Sequence, residues 1–447
     1  MHPLPETALS ILAVLAMPAL ALVIRSSHRA GHLGPGTVFV FGIGLLYDLP
    51  STMSALLGST HRTVDSFGTS MVSTPGWTGR LQSLCFLTMA LLAAWYVSFR
   101  ARLQHPPRRG AVVIAVLLCL TGAASAASAG LPWATRRQLL ALILLAAAAS
   151  GGRATEAMAG LGIYGSLVAL LSGVMIIAHP AGAADPCPAD KCSSLGMLLH
   201  GTQGNANALA LTLAVSLPGI VMGLHSRWRW ALVALACTEI WFTGGRTSQL
   251  AAAVTLVALA SFIWMRGRIW AAVVLACSGL LAGILMPILV TQEGAFQLRG
   301  ALWDYARSSI HPYGLLGSGW NALAHYFQSA SGVAGASDYS VHNEWLDIAY
   351  TGGMLGLLAV LGLLAVTTAA IARGNKPALL MLLPVVWLSI LERPWSFYSL
   401  EWLTYSLIGF LLCLSDPTPT QALIPASTDL PEAGTSGLSF ADLVPAR

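Results

Sequence analysis

From residue 6 to about residue 414 the chain repeats apolar runs of near-membrane length, separated by short polar segments. A hydrocarbon core about 30 Å thick takes roughly 20 apolar residues in helical form. Thirteen runs approach that length, at approximately 6–24, 36–57, 81–99, 111–130, 138–152, 157–178, 203–224, 230–245, 247–265, 269–290, 342–371, 378–391 and 400–414. Those at 138–152 and 378–391 are short for a perpendicular crossing, so twelve spans with one short re-entrant segment is the competing count. The pattern predicts an all-α, polytopic transmembrane helix bundle of about 12–13 spans. It forms a single domain over 1–414, and the Pro-, Ala- and Ser-rich tail 415–447 has the composition of a disordered segment. The first run has no basic leader and no small-residue cleavage site, which predicts a retained helix.

The longest interruption before the tail, 291–341, lies between the tenth and eleventh spans. Within it QLRGALWDYARSSI has helical periodicity, with Leu298, Leu302 and Tyr305 on one face and Arg299 one residue away. An amphipathic helix at the membrane interface is expected, with Arg299 aimed inward. HPYGLLGSGW reads as a turn-rich, closely packed segment, and the small, polar stretch 329–340 is expected to stay mobile.

Composition narrows the class. With 56% hydrophobic and 9% charged residues, the chain departs from soluble domains, which carry about 25% charged residues. Basic residues are retained on the cytoplasmic side of a membrane. Taking the loops alternately, one set holds thirteen: Arg25, Arg29, Arg100, Arg102, Arg108, Arg109, Arg153, Arg227, Arg229, Arg266, Arg268, Arg373 and Lys376. The opposite set holds nine, spread over longer loops. The first set is assigned to the cytoplasm, which turns the 291–341 loop outward and leaves the tail inside. This topology accounts for the net charge of +5, and no basic cluster suggests nucleic acid.

Of the seven cysteines, Cys85, Cys119, Cys237, Cys277 and Cys413 lie in apolar runs and read as buried thiols. Cys187 and Cys192, in DPCPADKC, share a short outward loop, where an oxidising exterior favours a disulfide. Two thiolates supply only half of a tetrahedral shell, so a metal site is not expected there.

Ionisable groups near the ends of apolar runs are the candidates for chemistry. Asp48 sits inside a span, where a carboxylate needs a partner or a water-filled cavity. Arg136 and Arg137 read as interfacial residues that snorkel, with no role assigned. In HGTQGNANALAL, Asn205 and Asn207 lead into an apolar helix, either as caps alone or also as donors to a cavity. Glu239 precedes WFTGGRTSQL, which places Arg246 in a Gly-Gly turn between two helices. A guanidinium there calls for an anion, with a salt bridge to Glu239 or Asp48 as the alternative. His342 opens the eleventh span, where an imidazole can meet both water and a cavity. Asn343, Glu344 and Asp347 could orient it or a sugar, and Tyr305 and Trp320 could stack on sugar faces.

GGRTSQL after an apolar helix, the long loop with LRGALWDYA and HPYGLLGSGWNAL, and VHNEWLDIAYTGGMLGLL opening the next helix together resemble the O-antigen ligase and O-antigen polymerase superfamily of membrane glycosyltransferases. The likeness covers roughly residues 195–370, and GTQGNANALAL fits it. It implies transfer of a glycan from a polyprenyl-diphosphate carrier to a hydroxyl-bearing acceptor (glycan, glycolipid or protein) at the outer face of a bacterial plasma membrane. Arg246 and Arg299 would hold the diphosphate and His342 would act on the acceptor hydroxyl. Asn207, Glu239, Tyr305, Trp320, Asn343 and Glu344 would line the substrate site. Two guanidiniums can stabilise a departing diphosphate without a metal, and the loop has no DxD-type pair. A metal-independent, inverting transfer with no cofactor is therefore expected. A polymerase joining carrier-linked repeats uses the same donor chemistry. A lipid-linked sugar exporter is the reading from another class, set against the absence of a convincing internal repeat.

Overall fold

A computed structural model describes residues 4–57, 61–64, 70–73, 75–100, 109–178, 180–187, 192–194, 196–265, 267–292, 295–310, 314–320, 322–323 and 340–416. The expectations for most of 329–340 and for all but the first two residues of the tail fall outside these residues.

Fifteen helices are described: α1 (Leu4–Arg29), α2 (Pro35–Leu56), α3 (Gly76–Arg100), α4 (Gly110–Ser128), α5 (Arg136–Ala148), α6 (Ala154–Ala178), α7 (Pro180–Ala183), α8 (Ala206–Pro218), α9 (Arg229–Phe242), α10 (Arg246–Trp264), α11 (Trp270–Leu289), α12 (Ala295–Ser309), α13 (Glu344–Ala372), α14 (Lys376–Leu388) and α15 (Thr404–Ser415). Among the described residues, eight helical segments are long and apolar enough to cross a membrane, and α14 and α15 are shorter apolar helices. The chain is thus an all-α, polytopic membrane bundle. Two short antiparallel ribbons accompany it: β1 (His61–Val64) with β2 (Ser70–Ser73), and β3 (Ala184–Pro186) with β4 (Met197–Leu199). The all-α expectation did not include them. They use the remaining way to pair backbone groups where the chain is not helical.

Helices α6 and α8 form the centre. Nearly all of α8 and its continuation to Gly223 is enclosed, and α6 is largely so. Small residues let the two approach: Gly162 of α6 lies against the backbone of Gly219, in the π-helical turn Gly219–Gly223 that ends α8. Such close backbone approach is how helices associate where lipid supplies no hydrophobic drive. The periphery is the reverse. Leu84, Leu87 and Leu91 of α3, Val274 and Leu281 of α11, and Leu358 and Leu361 of α13 are each more than half exposed. In water these stripes would be an aggregation surface; against acyl chains they are ordinary. Exposed Trp228, Trp230, Trp264 and Trp270 mark one end of the bundle, and Trp133 and Trp241 the other, as interfacial belts do.

Helix α13 is not continuous. Gly353 holds φ +62° and ψ −152° inside it, a conformation essentially reserved for glycine. The break would orphan backbone groups in an apolar setting, at a cost of several kcal/mol each. Residues 314–319 satisfy them. Ser318 N donates to Tyr350 O at 2.8 Å and Gly319 N to Thr351 O at 3.2 Å, while Leu355 N donates to Leu315 O at 3.1 Å. The approach is so close that a Cβ on Gly353 would lie 2.6 Å from Gly317 N. The turn-rich GLLGSG segment is therefore the plug of a broken helix, and the first two turns of α13 become a separate element.

Helix α12 is built around a different face from the one its sequence suggests. Trp303 and Ala306 are fully buried, while Leu302 and Tyr305 are only partly so. Trp303 decides the rotation, because an indole buries the largest apolar area and needs a partner for its N–H. Its Nε1 donates to Val341 O at 2.9 Å. Arg299, one turn earlier on the same side, is thereby turned inward.

Candidate functional site

At one end of the bundle lies a cavity of about 590 Å³. Its walls come from the ends of α2 (Tyr47), α5 (Arg137) and α8 (Asn207), the β3–β4 hairpin (Asp185), the plug segment (Trp320), the broken start of α13 (Asp347, Tyr350) and the 389–403 segment (Glu392, Arg393, Glu401, Trp402). His342 faces it directly.

His342 stands immediately before the cap of α13, with φ +52°. A non-glycine residue in this region is uncommon and persists where its surroundings impose it. The neighbours do so. Val341 is buried and its carbonyl is held by Trp303. Asn343 caps α13, its side chain accepting from Leu346 N at 2.8 Å and donating to Gly283 O at 2.9 Å and Ile390 O at 3.0 Å. Backbone clamped on both sides sets the direction of the imidazole.

His342 Nδ1 lies 3.3 Å from Glu392 Oε2, and Glu392 Oε1 lies 2.6 Å from Arg299 Nη2. One carboxylate thus joins two of the sequence-selected residues. Because a carboxylate only accepts, Nδ1 carries the proton in this contact, leaving Nε2 to accept from a ligand. Arg299 does not line the cavity; it holds Glu392 from behind. Its charge is spent on Glu392 rather than on an open anion site.

A second ion-pair group adjoins the first. Arg393 Nη1 is 3.2 Å from Asp347 Oδ2, and Nη2 is 3.5 Å from Glu401 Oε1. Burial works against the Arg393 charge, but Asp347, Glu401 and Glu344 outweigh it and hold the guanidinium above its ordinary range. Neither Glu392 nor Glu401 stands out in the sequence, where Arg393 counts only as one of the nine basic residues of the outward loops. The available signal was LERPWSF, an acid and a base next to Pro between two short apolar helices.

The other sequence candidates separate. Asn207 and Trp320 line the cavity. Trp320 Nε1 donates to Pro132 O at 3.0 Å, tying the plug to the α4–α5 connection. Tyr305 does not line the cavity, but its ring lies 6.4 Å from that of Tyr350, which does. Asn343 and Glu344 are buried off the cavity. The three hydrogen bonds of Asn343 make it a structural cap. Glu344 Oε2 accepts from Trp395 N at 3.0 Å, fixing the 389–403 segment. Glu239 is fully buried elsewhere, and neither carboxylate oxygen has a partner among the described residues. Asp48 has its partners in the Tyr164 hydroxyl and in Gln203 Nε2, the latter at 2.8 Å.

Arg246, the first residue of α10, is exposed and is not among the residues lining the cavity. The Gly244–Gly245 turn that precedes it packs on Leu198 and the backbone of Cys192 instead of opening toward an anion. The alternative salt bridge to Glu239 or Asp48 is not formed either. Cys187 and Cys192 are joined by a disulfide that closes the β3–β4 hairpin. That hairpin presents Asp185 to the cavity, with Asp185 Oδ1 3.7 Å from His200 Nε2. Among the described residues, no group of three or more His, Cys, Asp or Glu is arranged to hold a metal ion.

No protein-family model matches the chain, and no curated protein matches it.

Proposed function

We propose that the protein is a glycosyltransferase of the O-antigen ligase type, passing a glycan from a polyprenyl-diphosphate carrier to an acceptor hydroxyl. The observation that carries this reading is the His342–Glu392–Arg299 chain opening on the cavity. A base oriented by a carboxylate, itself held by a third group, is the arrangement that activates a weak nucleophile. The substrate is the one implied by the resemblance of residues 195–370 to the O-antigen ligase and polymerase superfamily.

In this reaction the acceptor oxygen attacks the anomeric carbon opposite the diphosphate, so the configuration inverts. The bond from that carbon to the phosphate oxygen breaks, and its electron pair leaves with the diphosphate. The hydroxyl proton passes to Nε2 of His342, and the resulting imidazolium is stabilised by Glu392. Arg299 is a positioning residue: its ion pair holds Glu392 pointed at the ring. Tyr350, Trp320 and Trp402 offer apolar faces to the sugars. With the cavity outward, the opposite end carries Arg25, Arg29, Arg227, Arg229 and Arg373, as the positive-inside rule requires. The reading sets the chain in a bacterial plasma membrane with twelve or thirteen crossings, counting the short helices α5, α9, α14 and α15, with α1 as the thirteenth, beside the eight longer segments.

The test is transfer by the purified full chain in lipid nanodiscs supplied with a carrier-linked repeat. Transfer only after a second acceptor is added is the expected, ligase outcome; lengthening of the repeat alone makes the protein a polymerase. Turnover is expected to persist in excess chelator. Loss in chelator with recovery in magnesium or manganese refutes the metal-independent mechanism. No transfer to any hydroxyl acceptor refutes the assignment.

A further inference from the structure

We infer that Arg137, at the start of α5, is the residue that grips the carrier's phosphates in the cavity. The inference rests on the reading of this cavity as a carrier-diphosphate site, and it adds a binding residue taken from charge pairing alone.

The cavity does not offer its cations equally. On the wall formed by α13 and the 389–403 segment, Glu392 is paired from behind with Arg299 of α12, and Arg393 is paired with both Asp347 and Glu401. Three carboxylates there face two guanidiniums, so that wall has no positive surplus to offer a diphosphate. An anion placed among Asp347, Glu392 and Glu401 would meet a wall whose cations are already paired and whose balance is negative. On the hairpin wall the charged group is Asp185, another carboxylate.

Arg137 stands apart from these pairs. It lines the same cavity, and no hydrogen bond or ion pair joins it to any described residue. Its neighbour Arg136 points elsewhere, with Nη1 3.2 Å from Ser83 Oγ. No acidic residue lies in the first turn of α5 to neutralise either arginine. Two cations at the positive end of a helix oppose its dipole, so an anion at Arg137 relieves an unfavourable local field. The position is well anchored. Thr135 caps α5, accepting from Gln138 N at 3.3 Å, and Trp320 Nε1 bonds Pro132 O just upstream. The Arg137 side chain itself is exposed at the cavity, where its planar guanidinium can bind two phosphate oxygens at once.

The cavity is therefore polarised. The leaving diphosphate lies toward α5 and the acceptor hydroxyl toward His342 and the acidic wall, whose carboxylates accept hydrogen bonds from sugar hydroxyls. Arg246, equally without a described partner, does not line this space.

The experiment measures equilibrium binding of a short polyprenyl diphosphate, such as the farnesyl compound, to the full chain in nanodiscs, with the corresponding alcohol as control. R137A is expected to weaken diphosphate binding by about 10-fold or more, with R137K recovering part of it and alcohol binding unchanged. R136A is expected to stay within twofold of the unsubstituted protein. Diphosphate binding by R137A within twofold of the unsubstituted chain overturns the inference, as does a loss confined to R246A. If the unsubstituted chain itself shows no preference for diphosphate over alcohol, the carrier reading of the cavity fails first. Thermal unfolding of each variant is compared in parallel, and a loss of binding by R137A that tracks a lowered unfolding temperature also overturns the inference.

Discussion

The change His342→Ala is expected to slow glycan transfer by about 10³-fold, within the range a positioned acid–base group contributes, while leaving affinity for the carrier-linked donor close to unchanged. The ring is one-third exposed to the cavity, and its described polar partner is Glu392, so truncation removes little packing. The measurement is a single-turnover rate alongside a donor binding curve. Turnover within a few-fold of the unsubstituted enzyme removes His342 from the mechanism. Glu392→Gln is a companion with a different signature. It keeps the side-chain size but frees Arg299 from its ion pair and loosens the tautomeric hold on Nδ1. A loss in rate with donor affinity retained is expected for it as well, smaller than for His342→Ala.

Gly353→Val is expected to have the largest structural effect, because two independent costs coincide. A β-branched residue at φ +62° is strained by about 1–3 kcal/mol, and its Cβ would lie 2.6 Å from Gly317 N. The plug must withdraw, and Tyr350 O and Thr351 O then lose their donors in an apolar setting. Marginal stabilities of about 5–15 kcal/mol leave little room for this. The expected result is loss of monodisperse protein on extraction, or a large fall in unfolding temperature; a fall of less than about 5 °C would show that the break is tolerated as a continuous helix. Leu361→Ala, on the exposed outer face of the same helix, serves as the benign control.

Hydropathy was enough to place the helices, since a membrane-length apolar run has few alternatives. The disulfide partners and the placement of His342 at the cavity were likewise visible in short local stretches. What sequence order hides is pairing across distance. Arg299 and Glu392 are 93 residues apart and meet only because Trp303 turns α12 inward. Read along the chain, Arg299 looked like an unpaired cation awaiting phosphate. Asn343 and Glu344 misled for a related reason. A helix start buried in protein needs its backbone groups satisfied, and HNEW supplies a cap and an acceptor as readily as it supplies ligands. Arg246 was selected for its flanking glycines, which serve close packing on Leu198 and Cys192 rather than anion approach. Arg137 was set aside because a basic pair at a helix start is ordinary at an interface.

The interruption at Gly353 also bears on how the protein meets membranes of unequal thickness. The cavity-side turns of α13 are tied to the 389–403 segment through Asp347 and Glu344, and to the plug through Tyr350 and Thr351. The lipid-facing remainder joins them through Gly353 and, at its first residues, through the same plug, where Leu355 N donates to Leu315 O at 3.1 Å. Mismatch with short or long acyl chains is accommodated by tilt, and here the tilt can be taken up beyond Leu355, where the ties to the plug end. Under the proposed function, transfer should accordingly vary little between nanodiscs of thin and thick bilayers, because the cavity-side turns keep their ties while the lipid-facing part tilts.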